Sequence, residues 1–146
     1  MGVKMLNEKQ QAIKTRYENI QQITMNCSKY GCFFCSLLSI IEEYTGKQLD
    51  FIDSYYKCIN TKVMTKDFLV LDKIKLLELF TVDYIHFRQS KNINEKIADN
   101  EYTIIKYSNN GKTHYKRKYI QTYKNSVLTN SKYFECLYIF SFDYKL

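Results

Sequence analysis

The chain has 146 residues, enough for a single domain, 1–146, with a hydrophobic core of its own. No stretch reaches the roughly 18 apolar residues of a membrane span, and Met1 to Lys14 is too polar for a secretory signal. The expected setting is therefore cytoplasmic, where five cysteines serve as thiols or ligands rather than disulfides.

A formal charge of +7 and 14 tyrosines invite a nucleic-acid reading. Composition offers a plainer cause. Only Arg16, Arg88 and Arg117 are arginines, the other nineteen basic residues being lysines, and Pro and Trp are absent. Lys, Asn, Ile, Tyr and Phe, the residues of A/T-rich codons, abound, so the basicity reflects coding bias before it reflects a partner.

In chain order, Leu6, Ile13, Tyr17 and Ile20 keep helical spacing and predict an amphipathic helix over Asn7 to Gln21. A polar connection, Thr24 to Gly31, is expected next. Cys32 to Ile41 is then an uncharged run, closed by Glu42, Glu43 and Gly46, and predicts a helix over Cys32–Thr45 buried on nearly every side. Asp50 can cap a third helix over Phe51 to Asn60, and Asp72 a fourth with Ile74, Leu77 and Phe80 inward. Val82 to Phe87 is strand-like, and Ile93 to Ala98 suits one helical turn. Tyr102 to Tyr107 and His114 to Tyr123 suit strands about the hairpin turn Asn109-Asn110-Gly111. Phe134 to Phe142 completes an expected antiparallel meander. Helices first and strands afterwards define an α+β fold, with the helices on one face of the sheet.

The segment Asn26 to Ser36 concentrates the chemistry, since Cys27, Cys32 and Cys35 fall within ten positions. Gly31 breaks the chain before the buried helix, placing Cys32 in a first turn where free N–H groups and the helix dipole favour a thiolate. Free cysteine also often only fills space. A Cys–His pair needs an imidazole from elsewhere in the fold, and the chain has two histidines. His114 opens a strand at a rim; His86 lies mid-run between Ile85 and Phe87. His114 is the preferred base.

Cys27-x4-Cys32-x2-Cys35 also has the spacing of a plant-type [2Fe–2S] site, with Cys58 or Cys136 as fourth ligand. Such a site wants an irregular, glycine-rich loop, and only Gly31 is at hand. Zinc would want a second close pair. No metal or other cofactor is expected. Strand alternation puts Tyr115, Arg117, Tyr119, Gln121 and Tyr123 on one face, a basic and aromatic stripe that could meet nucleic acid or simply cover apolar neighbours.

Asn26-x5-Cys32, with an aromatic after Cys32 and then Ser36, resembles the papain-like cysteine peptidase pattern, as does a later histidine opening a strand. More narrowly, the chain looks like an uncharacterised papain-like family carried on plasmids and prophages of spirochaetes, whose members show a Gly-Cys helix start. The resemblance implies a central buried helix packed on a C-terminal antiparallel sheet. It implies Cys32 as nucleophile, His114 as base, Asn26 as oxyanion donor, and Asn125 orienting the imidazole, with Asn130 in reserve. Two functions are then expected. One is a thiol hydrolase or transferase acting on a peptide or amide substrate. The other is an inactive, non-catalytic relative that binds protein or nucleic acid through its basic, Tyr-rich sheet face.

Overall fold

The apolar run after Gly31 forms the helix around which the rest of the chain is arranged. This helix, α2 (Cys32–Thr45), ends at Gly46, whose φ of 72° suits a residue without a side chain and whose N–H donates to the Glu42 carbonyl. Phe34, Leu37, Ile40 and Ile41 on it are wholly buried, each contributing roughly 2 kcal/mol of burial. The computed structural model describes residues 7–109, 111–117 and 133–145.

Helix α1 (Glu8–Tyr30) begins with a capping box between Asn7 and Gln10. It does not stop at Gln21: the expected polar connection from Thr24 is helical as far as Tyr30. The Thr24 and Ser28 hydroxyls donate to the carbonyls of Ile20 and Met25, so these polar side chains ride on the helix rather than compete with it. Ile23 is buried and Cys27 packs against the core. Gly31 alone joins α1 to α2, its N–H donating to the Cys27 carbonyl.

Asp50 and Asp72 cap the next two helices as expected, accepting from the backbone N–H groups of Asp53 and Lys75. These are α3 (Phe51–Asn60) and α4 (Lys73–Glu78). Between them the chain folds back on itself, with Met64 bridging Val70. Phe68 there has φ 67°, a strained conformation for a bulky side chain. It is held by packing of its ring on Phe34, Phe51 and Tyr55.

Four antiparallel strands follow: β1 (Tyr84–Ser90), β2 (Tyr102–Asn109), β3 (Lys112–Arg117) and β4 (Phe134–Asp143). Their order is β1-β4-β2-β3, so β4 enters between β1 and β2 where a meander was expected. Asn109 pairs with Lys112 and Gly111 has φ 75°, so β2 and β3 form a hairpin at the expected place. Ile85, Phe87, Ile104, Tyr115, Tyr138, Phe140 and Phe142 face the helices and join the main core.

The outer face carries a second cluster, Ile105, Leu137 and Ile139, with Ile97 laid over it. Ile97 belongs to the segment 91–101, which is without helix although one helical turn was expected over Ile93 to Ala98. Arg88 straps that segment down. Its guanidinium donates to Glu101 at 2.7 and 2.9 Å, to Glu95 at 2.6 Å and to the Lys96 carbonyl at 3.0 Å. Four directed hydrogen bonds from one planar group replace those a helix would have supplied.

Candidate binding groove

Cys32 is the first residue of α2 and is exposed. It opens onto a groove of about 660 Å³ between the α1–α2 joint, the segment 67–73 and the inner side of β3 and β4. The floor is aromatic. Phe33 lies 4.4 Å from the Tyr115 ring and 5.7 Å from that of Tyr138, and Tyr115 stacks on Tyr138 at 6.2 Å. Lys73 sets its ammonium 4.5 Å from the Phe87 ring and 5.6 Å from the Tyr138 ring, within cation–π range. Lys29, Asp67 and Asp72 add charges of both signs at the rim. Desolvation raises the Tyr115 and Tyr138 phenols above their ordinary pKa, so both stay neutral donors.

The proposed catalytic pair is not assembled here. Directly paired residues share a face, and neighbours along a strand alternate. Tyr115 packs on Phe33 and faces α2. His114 therefore faces the other way, paired with Tyr107 and stacked on its ring at 5.3 Å. Thr113, not His114, lines the groove with Cys32. The preference for His114 as a base is corrected by one residue of register, which turns a strand inside out. His86 is also on the outer face, since Ile85 and Phe87 point inward; its Nε2 lies 2.6 Å from the Asp143 carboxylate. Both histidines of the chain are thus across the sheet from Cys32.

Asn26 is not at an oxyanion position either. It lies within α1, accepts from Gln22 Nε2 at 3.0 Å, and lines a separate depression with Ile23, Tyr55 and Tyr56. The helical continuation through Tyr30 carries it away from the Cys32 groove. Asn125 and Asn130 lie outside the described residues.

Of the stripe predicted over Tyr115 to Tyr123, Tyr115 and Arg117 lie within the described residues. Tyr115 and Arg117 share a face, but that face packs on α2. Arg117 is 8% exposed, donating to Glu43 at 2.7 Å, Ser39 at 2.9 Å and the Thr103 carbonyl at 3.3 Å. Its charge joins strand to helix and does not meet a phosphate. Tyr119, Gln121 and Tyr123 lie outside the described residues.

Sequence reasoning missed the groove's second wall, Asp67 to Lys73. A signal was present: Phe68, Leu69, Val70 and Leu71 form an apolar run in front of the capping Asp72. Leu69 and Leu71 are 62% and 58% exposed, unusual for adjacent alternate leucines on one short segment. Among the described residues no helix is long and apolar enough to cross a membrane. Compared with protein-family models, curated proteins and solved structures, the chain matches none.

Proposed function

We propose that this chain is a papain-like scaffold that binds a polypeptide segment without cleaving it, using the groove beside Cys32. A helix opening on Cys32 and lying along an antiparallel sheet supports the papain-like resemblance. The carrying observation is the position of both histidines on the outer face of the sheet. Cys32 has no imidazole to take its proton, and thiol hydrolysis of the expected kind needs one.

What remains is a recognition surface. An aromatic floor accepts an apolar side chain at low entropic cost, because Phe33, Tyr115 and Tyr138 are already packed against one another. The exposed leucines 69 and 71 extend that apolar surface, while Lys29, Lys73, Asp67 and Asp72 can orient a charged backbone terminus or side chain. A short segment with an aromatic or aliphatic anchor fits this chemistry. Nucleic acid fits it less well, since Tyr115 and Arg117 of the predicted basic face pack on α2.

A peptide array probed with the intact protein tests the reading. Tyr115→Ala should weaken the selected peptides by about tenfold or more, as loss of an aromatic anchor does. Lys116→Ala, on the opposite face, should leave them unchanged. The peptides should remain whole by mass spectrometry. Cleavage that requires both Cys32 and His114 would overturn the proposal and restore the hydrolase.

A further inference from the structure

We propose that Cys27 and Cys35 form a redox-active dithiol that closes to an intramolecular disulfide on reaction with a low-molecular-weight disulfide. Cys27 is in the last turn of α1 and Cys35 in the first turns of α2, and their Sγ atoms lie 3.4 Å apart in hydrogen-bond contact. The joint between the helices permits this approach because residue 31 is glycine. A Cβ on Gly31 would sit 2.5 Å from Cys27 Sγ, so the thiol rests over the bare backbone of the joint. Both cysteines can be reached by a reagent, Cys35 being exposed and Cys27 partly so. Cys58 and Cys136 are buried and have no such partner.

The chemistry balances with glutathione disulfide as oxidant. The Cys27 thiolate attacks one sulfur of the reagent, the reagent's S–S bond breaks, and one glutathione thiolate departs. Cys35 then gives up its proton, and its thiolate attacks Cys27 Sγ and expels the second glutathione thiolate. Two protein thiols are oxidised, one glutathione disulfide is reduced to two thiols, and the two departing thiolates take up the two released protons.

The order of attack follows from the surroundings of Cys35. Desolvation by the helices around it, and then the hydrogen bond and charge of Cys27, push its thiol up to about 12, which leaves little thiolate to begin the exchange. Once Cys27 is capped by glutathione, its charge no longer opposes a thiolate at Cys35. Cys35 is then the resolving thiol, already beside the sulfur it must attack.

Cys32 is the competitor. It stands three residues before Cys35 on the same helix, but it opens to the groove while Cys35 touches Cys27. The intact protein incubated with glutathione disulfide, alkylated and digested, separates the possibilities. The expected product lacks two hydrogens and holds a Cys27–Cys35 cross-linked peptide, with Cys32, Cys58 and Cys136 alkylated. Cys32→Ser should close the link at a rate within about twofold of wild type, the thiols involved being unchanged. Cys27→Ser should lose that link and stop at glutathione adducts. A Cys32–Cys35 peptide in the wild-type digest, or adducts without loss of two hydrogens, overturns the proposal regardless of how the variants fold.

Discussion

Replacement of Gly31 by alanine measures how tightly the two helices are joined. A Cβ there would meet Cys27 Sγ at 2.5 Å, the Cys27 carbonyl oxygen at 2.7 Å and Cys27 Cα at 3.0 Å, against an ordinary separation of about 3.5–4.0 Å. The thiol can turn aside, but the carbonyl and Cα belong to the last turn of α1 and cannot. Overpacking of that kind costs about 1–3 kcal/mol, and the backbone contacts put it at the upper end. Restricting the unfolded chain returns about 0.4–1 kcal/mol. The net expectation is a loss of about 2 kcal/mol, or a fall of about 6–8 °C in Tm for a chain of this size. Urea unfolding followed by far-ultraviolet circular dichroism reads it. Repeated in a Cys27→Ala background, the same substitution should cost about 1 kcal/mol less, the coupling expected of residues in contact. A Gly31→Ala protein as stable as wild type would refute the close crossing, and with it the reason Cys27 reaches Cys35.

Arg117→Met should lower stability by about 2–3 kcal/mol, since a buried guanidinium hydrogen-bonded to a carboxylate is lost. Glu43→Gln should cost less than about 1 kcal/mol because Glu43 is half exposed; equal costs in urea titrations would show that the buried bonds to Ser39 and Thr103 are not the important ones. The hydrogen bonds from Arg88, helped by the Ala98 N–H, hold the Glu101 carboxyl below the ordinary carboxylate range. Its contribution is therefore present above about pH 4.3 and lost as pH falls toward its folded value. The wild-type urea midpoint should drop across that window more steeply than that of Glu101→Gln, and parallel curves would refute the strap. The hydrogen bond from Tyr44 to Asp83 at 2.5 Å, then desolvation, pushes the Tyr44 phenol up to about 12. In the difference between wild-type and Asp83→Asn ultraviolet titrations, one tyrosine should move back toward about pH 10, and no difference would deny the bond.

The elements that could be read from the chain were those whose cause is local. An uncharged run from Cys32 to Ile41, set between Gly31 and Gly46, specifies α2 to the residue, and the capping Asp50 and Asp72 each act within three positions. What depended on distant partners was not legible. Thr24, Asn26 and Ser28 have the composition of a loop, yet Ile23 is buried in the core, Cys27 packs against it, and the segment is helical. Ile93 to Ala98 has helical spacing, yet Arg88 on a neighbouring strand holds it in another shape. His114 was placed on the right strand and on the wrong face, because a side-chain period of two makes a single register step decisive. The groove was half visible: Cys32 and Phe33 announce themselves, whereas Lys73 and Leu69 reach it through a strained turn at Phe68 that no local pattern encodes.

The position of β4 has a consequence for biosynthesis. Neither β1 nor β2 can pair with the other, for the strand that lies between them is the last of the four to leave the ribosome. The helical half can gather around α2 while β1 and β2 still present unpaired backbone edges and apolar inner faces. A nascent chain of this design therefore carries its greatest exposure to aggregation just before Phe134 to Asp143 emerges. Joining that strand then completes both halves of the sheet in one step. Stalling or truncation upstream of Phe134 should yield a species that chaperones retain, with its helices formed and β1 unpaired beside the β2–β3 hairpin.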